Sequence, residues 1–158
     1  ILNRNNFKVF GVDFSFNALK FAKDNFNLAR ITAGDALSLP FKDASFDLVI
    51  DVGLLHSISP KKRFLLKQEV IRVLKNGGKY LISEFFRDSN SAYLKPLFYA
   101  FINKIGKTTS RIIGQRQIPT WGLNLDDVRL LFCPDFSIIK YFQHGDHFVA
   151  MLQKRKIR

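Results

Sequence analysis

Short apolar runs separated by polar turns predict a series of buried β-strands. Four runs in the first half of the chain predict strands at residues 7–12, 29–33, 46–50 and 79–85. The third run, FDLVI, carries no charge after Asp47, as expected of a strand that is covered on both faces. These runs therefore predict a sheet that lies inside the domain.

Apolar residues at helical spacing predict two helices between these strands. One covers residues 16–26, with Ser15 as its N-cap. The other begins at Ser59-Pro60, and its apolar stripe continues to Leu74, before Asn76-Gly77-Gly78 ends it. The resulting order, β-α-β-β-α-β, is typical of a mostly parallel, right-handed wound sheet.

The second half of the chain has a different pattern. An aromatic-rich helical segment is predicted at residues 91–105, a short helix at Leu125–Phe132, and strands at 136–142 and 147–153. The four residues between the last two strands predict an antiparallel hairpin at a sheet edge. The basic tail from Lys154 onward is expected to be frayed.

Composition narrows the class of protein. A chain of 158 residues with 47% hydrophobic residues predicts one globular domain, and no apolar run is long enough to span a membrane. Cys133 is the only cysteine, so we expect a cytoplasmic setting and no cysteine metal cluster. His144 and His147 lie close together without an evident third ligand, so no metal site is predicted. The net charge of +12 is spread along the chain, which favours a solvated surface over a nucleic-acid site.

Acidic residues stand where the predicted strands end. Asp13, Asp35 and Asp51 follow the first three strands, and Glu84 lies near the end of the fourth. Because ligands of open parallel sheets bind beyond the carboxyl ends of the strands, these positions predict a site for a polar small molecule.

Four stretches together resemble class I S-adenosylmethionine-dependent methyltransferases of the small-molecule type: VFGVDFS, GDALSLPFKDASFDLVID, GLLHSI and EVIRVLKNGGKYLISEF. The resemblance implies a Rossmann-like, doubly wound, mostly parallel sheet with a C-terminal antiparallel hairpin. It also implies that residues 1–158 form a single, partial methyltransferase domain. Residues 7–85 would be the cofactor-side core, 86–124 an insert that covers the acceptor, and 125–153 the last helix and the edge hairpin.

The resemblance assigns Asp13 and Phe14 to the ribose and adenine of S-adenosylmethionine. A carboxylate suits a ribose because it can accept hydrogen bonds from both hydroxyls. The alternative for Asp13 is a turn or helix-capping aspartate, and the alternative for Phe14 is simple core packing.

The same resemblance assigns Asp35 and Ala36 to the edge of the adenine, with Asp35 accepting from the amino group. It assigns Asp51, Val52 and Gly53 to the methionine part of the cofactor, where the Asp51 carboxylate would hold the ammonium. The alternatives are an Asx-type turn at Asp35 and a solvated strand-end turn at Asp51.

His56 and Glu84 are the predicted catalytic residues. A neutral imidazole at the cleft would act as a base or orient the acceptor, and Glu84 would touch the substrate at the same rim. The alternative for His56 is a structural role in capping the following loop. Lys107, Arg111, Arg116 and Trp121 lie in the segment that covers the acceptor in this family, or in a polar loop without that role.

The family's first strand and glycine-rich turn would precede Ile1. The strand would be the central one, between the strands that end at Asp13 and Asp51, and the turn lets the backbone approach the cofactor closely. We therefore expect the sequence to be a fragment of a longer gene product that binds cofactor poorly, or not at all, as it stands.

Several functions remain open at this point. The first is methyl transfer to a small-molecule acceptor, favoured by the short aromatic insert. The second is RNA or protein methylation, suggested by the positive charge. A non-catalytic binding or scaffold protein with the same fold is the third, and a nicotinamide dehydrogenase is weaker because GDALSLPF and RVLKNGG do not fit it.

Overall fold

A computed structural model describes residues 7–25, 30–85, 123–145 and 147–156. The predicted aromatic helix at 91–105 lies outside the described residues, as do nearly all of the predicted acceptor-covering insert and its Lys107, Arg111, Arg116 and Trp121. Within the described part, no helix has the length and apolar content needed to cross a membrane.

The first unit is a two-stranded parallel sheet. Strands β1 (Phe10–Asp13) and β2 (Arg30–Ala33) pair in register, and helix α1 (Phe16–Asn25) connects them. The Ser15 hydroxyl accepts a hydrogen bond from the Ala18 N–H at 3.3 Å, which confirms the predicted N-cap. In parallel strands the carboxyl ends meet at one edge, so the residues that follow Asp13 and Ala33 emerge side by side.

The second unit is a four-stranded sheet. Its elements in chain order are β3 (Phe46–Val52), α2 (Arg63–Val73), β4 (Leu74–Phe85), α3 (Leu125–Phe132), β5 (Phe136–His144) and β6 (His147–Lys154). The strand order is β3-β4-β6-β5; β3 and β4 are parallel, whereas β6 is antiparallel to both of its neighbours. The α/β class and the antiparallel edge hairpin are therefore confirmed.

The two sheets approach each other through aromatic side chains. The Phe10 ring of β1 lies 5.7 Å from the Phe46 ring of β3 and 6.1 Å from Phe41, both edge-on. Among the described residues β1 pairs only with β2 and β3 only with β4, so each of these strands has one open edge. A central strand between them remains a prediction.

Helices α2 and α3 cover one face of the four-stranded sheet, and the core lies between them. Tyr80, Ile82 and Glu84 alternate along β4 on this face and are fully buried, as are Phe132 of α3 and Phe148 of β6. The period of two in a strand therefore places Glu84 on the covered face of the sheet.

Helix α2 ends earlier than predicted. It stops at Val73, and Leu74 already has an extended backbone and pairs with Phe46. The ammonium of Lys154 donates to the carbonyls of Ile71 and Leu74, so this residue of the supposedly frayed tail caps the helix. These tertiary contacts, rather than Gly77 and Gly78, determine where the helix ends.

Candidate functional site

Asp13 ends β1 and is exposed to solvent. Its Oδ1 accepts a hydrogen bond from the Ser15 N–H at 2.7 Å, which shapes the turn into α1. Its carbonyl accepts from the Gly34 N–H at 3.1 Å, which ties the end of β1 to the residue before Asp35. Asp13 therefore has the structural role in a turn that was the alternative for this residue. That turn uses only one of the two carboxylate oxygens.

Asp35 stands two residues beyond the end of β2 and is also exposed. Its Oδ1 accepts from the Leu37 N–H at 2.9 Å, and its carbonyl accepts from the Ser38 N–H at 3.0 Å, so it forms an Asx-type turn. This turn likewise uses one carboxylate oxygen. Ala36 is half-buried and packs against the main core, which holds its backbone at the strand edge.

Phe14 follows Asp13 directly, and its side chain is 85% exposed. Simple core packing, the alternative for this residue, is therefore wrong. The structure thus places an exposed aromatic ring next to one of two exposed carboxylates, at the carboxyl edge of two adjacent parallel strands.

Arg72 of α2 holds the loop that follows Asp35. Its guanidinium donates to the carbonyls of Leu39 and Phe41 at 2.9 and 2.6 Å, and to Glu69. Glu69 in turn accepts from the Leu39 N–H at 2.6 Å, and the hydrogen bond from Arg72 lowers the pKa of Glu69. Sequence reasoning missed this support because these partners are about thirty positions apart in the chain.

Asp51 differs from the first two aspartates because it is buried, with 5% of its surface exposed. Its Oδ1 accepts from the Leu54 N–H and its Oδ2 from the Tyr80 hydroxyl, both at 2.9 Å. Burial, followed by the nearby charge of Glu84, raises the pKa of Asp51 to about 6. The resemblance implied that this carboxylate holds the ammonium of the cofactor. Because both of its oxygens accept hydrogen bonds within the chain, the carboxylate is not placed for that role.

Val52 and Gly53 continue from Asp51 towards the open edge. Val52 is 58% exposed, and Gly53 has a φ of +72°, a conformation that favours glycine. A Cβ on Gly53 would lie 3.3 Å from Cε1 of His56. A glycine here therefore allows both the turn and the close approach of the imidazole.

His56 and Glu84, the two predicted catalytic residues, are in direct contact. His56 lies in a 3₁₀ turn, Leu55–Ser57, and its Nδ1 is 2.6 Å from Oε2 of Glu84. The backbone N–H of His56 donates to Oε1 of the same carboxylate at 3.2 Å. Glu84 is fully buried, so the prediction that it touches substrate at the rim is wrong; it reaches the site only through His56.

Two further side chains lie near this pair: Tyr80, which is fully buried, and His147, which is half-buried. Tyr80 was not singled out from the sequence, although a tyrosine inside a buried strand signals that its hydroxyl needs a partner. His147 lies on β6, and its Nε2 is 2.9 Å from the Ser83 hydroxyl; burial lowers the pKa of His147. The described residues contain no group of three ligands that could hold a metal ion.

Comparisons with known proteins identify the family. A family model described as a methyltransferase domain matches residues 1–82, more than half of the chain. The chain is 36% identical over 113 residues to the demethylmenaquinone methyltransferase of Renibacterium salmoninarum, covering 66% of this chain and 46% of that protein. It is 40% identical over 129 residues to a phthiotriol/phenolphthiotriol dimycocerosates methyltransferase of Mycobacterium ulcerans, covering 70% and 47%.

A solved structure shows the same fold. The similarity to a SAM-dependent methyltransferase from Methanosarcina mazei has a TM-score of 0.71 at 23% identity, and covers 94% of this chain and 82% of that one. The chain spans about half the length of the two relatives named above. By its family match and its fold, the chain belongs to the class I S-adenosylmethionine-dependent methyltransferases.

Proposed function

We propose that this chain is the cofactor-side core of an enzyme that transfers a methyl group from S-adenosylmethionine to a small-molecule acceptor. The observation that carries the proposal is the pair of exposed carboxylates at one sheet edge. Asp13 and Asp35 each use one oxygen, Oδ1, in a local turn. Each therefore has a second oxygen with which to accept hydrogen bonds from a ligand.

The residues at this edge fit the donors of the cofactor. In the proposal, Asp13 accepts from the ribose hydroxyls, Asp35 accepts from the adenine amino group, and Phe14 packs beside the ring. Ala36 faces the ring edge with its backbone N–H. Each charge-assisted hydrogen bond would contribute on the order of 1.5–3 kcal/mol.

The end of β3 serves the methionine part of the cofactor in this proposal. Asp51 fixes the turn through the Leu54 N–H, and that turn presents Val52 and the glycine backbone of Gly53 to the ligand. The bound cofactor supplies a methyl group already activated by the sulfonium charge. The chain therefore contributes mainly proximity and orientation, which can account for roughly 7–11 kcal/mol of a reaction barrier.

The two relatives named above support a small-molecule acceptor, since their names refer to demethylmenaquinone and to phthiotriol dimycocerosates. A cytoplasmic setting, suggested by the single cysteine, belongs to the same proposal. The division into a cofactor-side core, an acceptor-covering insert and a final helix with its hairpin is also part of it.

Calorimetric titration of S-adenosylhomocysteine tests the proposal. The titration is made into the chain, and into a version extended ahead of residue 1 by a strand and glycine-rich turn from a relative. We expect the extended version to bind, and Asp13→Ala to weaken its binding about 100-fold, because two charge-assisted hydrogen bonds are lost. Asp47→Ala removes another exposed carboxylate, one on β3 that pairs with Lys75, and should leave binding unchanged.

Each outcome has a definite meaning. Binding by neither version would overturn the proposal and favour a non-catalytic protein with this fold. Equal loss of binding in Asp13→Ala and Asp47→Ala would remove Asp13 from the site. Tight binding by the chain alone would support the function and show that the expected central strand is dispensable.

A further inference from the structure

Glu84 is a buried carboxylate whose described partners are two groups of one residue. Both of its oxygens bind His56, one through the backbone N–H and one through the ring Nδ1. None of the Glu84 surface is exposed, whereas 17% of the His56 side chain is. Burying a carboxylate is costly unless it is hydrogen-bonded, so this arrangement points to a specific task for the pair.

Holding His56 at two points fixes both the position and the tautomer of its ring. Because Nδ1 faces a carboxylate, the neutral ring carries its proton on Nδ1 and its lone pair on Nε2. The Cε1 edge of the ring lies against Gly53, where a side chain would be in close contact. The histidine is therefore held beside the turn that, in the proposed function, receives the methyl-bearing part of the cofactor.

Other ionisable groups surround the Glu84 carboxylate. Asp51 lies on the neighbouring strand β3, Tyr80 on β4 itself, and His147 on β6. The Tyr80 hydroxyl binds Asp51, and the ring Nε2 of His147 contacts Ser83. Glu84, and not the other buried carboxylate, is therefore the group that accepts the hydrogen bond from Nδ1 of His56.

We propose that Glu84 is a positioning residue that holds His56 with Nε2 as a base for the acceptor. This inference rests on the proposed function, and it narrows the acceptor to molecules whose nucleophilic atom carries a proton, such as a hydroxyl oxygen. During transfer that atom forms a bond to the methyl carbon, and the carbon–sulfur bond breaks with its electron pair left on sulfur. The proton of the acceptor passes to Nε2 of His56.

Nitrogen NMR of the histidine rings in the ¹⁵N-labelled chain tests this assignment without an acceptor. The chain has three histidines, and the variants His144→Asn and His147→Asn assign the signals of the other two. In long-range ¹⁵N–¹H spectra recorded where the rings are neutral, we expect His56 to be protonated on Nδ1. Finding its proton on Nε2 in the unmodified chain would overturn the proposal, whatever the variants show.

The variant Glu84→Gln tests whether the Glu84 carboxylate determines the tautomer of His56. Its carbonyl can still accept from the His56 N–H, but its amide donates to Nδ1, so the ring proton should move to Nε2. Asp51→Asn changes the neighbouring buried carboxylate and should leave the His56 tautomer unaltered. An unchanged His56 spectrum in folded Glu84→Gln would show that Glu84 only fills space.

Titration of S-adenosylhomocysteine into the extended version carrying Glu84→Gln separates this inference from the proposed function. We expect its affinity to equal that of the unmodified extended version, because Glu84 acts through His56 and not on the cofactor. Affinity that falls together with the tautomer change would contradict the positioning role. Failure of the unmodified extended version to bind would instead overturn the proposed function.

Discussion

The two sheets present acidic residues at their strand ends in opposite ways. In the two-stranded sheet, Asp13 and Asp35 are exposed, and each uses a single oxygen in a local turn. In the four-stranded sheet, Asp51 and Glu84 are buried, and both oxygens of each accept from groups of the chain. A carboxylate at a strand end can thus bind a ligand or organise the site, depending on what covers it.

The difference follows from packing. Helices α2 and α3 lie over the face of the four-stranded sheet that carries Asp51 and Glu84, and the core extends across it. In the two-stranded sheet, α1 contributes only Leu19 as a buried residue. Variants in the buried pair should therefore change stability or proton positions, whereas variants in the exposed pair that keep the turn hydrogen bond should change ligand affinity alone.

The largest expected effect is the pH dependence that Asp51 gives to stability. Its pKa is about 6 in the folded chain, against an ordinary value of 3.8, so the folded state holds this proton more tightly than the unfolded state does. The stability it contributes is full below about pH 3.8 and is lost as the pH rises through about 6. The loss is at most about 3 kcal/mol, at roughly 1.4 kcal/mol per pKa unit.

Asp51→Asn should remove this loss. In urea unfolding at about pH 8 we expect the variant to be more stable than the unmodified chain by up to about 3 kcal/mol. At about pH 2.5, below both pKa values, the carboxyl is protonated in both states, and the two proteins should differ little, which serves as the internal control. An equal difference at both pH values would mean that Asp51 does not titrate as a buried acid.

Asp35→Asn tests the exposed side of the comparison. The amide oxygen can keep the hydrogen bond to the Leu37 N–H, so the turn and the unfolding free energy should be preserved. In the extended version, affinity for S-adenosylhomocysteine should fall about 30-fold, because a charge-assisted acceptor worth about 2 kcal/mol is lost. If Asp35→Asn lowers stability without lowering affinity, Asp35 has a structural role like that of Asp51 and Glu84 and does not bind the cofactor.

Local patterns in the sequence were enough to predict most of the elements. The apolar runs place β3 and β6 to within two residues, and α3 has the predicted bounds, Leu125–Phe132. Asn124 and Asp127 explain the start of α3, because each side chain accepts from the backbone N–H of the other. Where the signals lie within a few residues of one another, the sequence is therefore informative.

The sequence was less informative where partners are distant. His56 and Glu84 were both predicted to be functional, but the two residues are 28 positions apart in the chain. Their contact depends on how β3 and β4 align. The burial of Asp51 depends in the same way on Tyr80 and on the helices above it. No local pattern distinguishes a strand-end aspartate that faces solvent from one that faces a core.

Tyr80→Phe is expected to cost about 1.5 kcal/mol of stability at about pH 8, because the ionised Asp51 carboxylate loses a buried donor. Thermal or urea unfolding measures this cost. Tyr141→Phe removes a hydroxyl whose partner, Gln143, is exposed, and it should change stability by less than about 0.5 kcal/mol. Equal effects of the two variants would show that the buried hydroxyl contributes nothing through Asp51.

The smallest expected effect concerns Arg72, which connects the two regions. It lies on α2, over the four-stranded sheet, yet its guanidinium holds the loop after Asp35 through the carbonyls of Leu39 and Phe41. Arg72→Lys keeps the charge but loses the planar set of donors, so the loop should loosen at a cost of about 1 kcal/mol.

In the extended version carrying Arg72→Lys, we expect the affinity for S-adenosylhomocysteine to fall about 3-fold, and to fall by less when Asp35→Asn is also present. Equal losses in both backgrounds would show that Arg72 supports the fold without positioning Asp35. Lys61→Gln, an exposed charge change next to α2, is the control and should leave affinity unchanged.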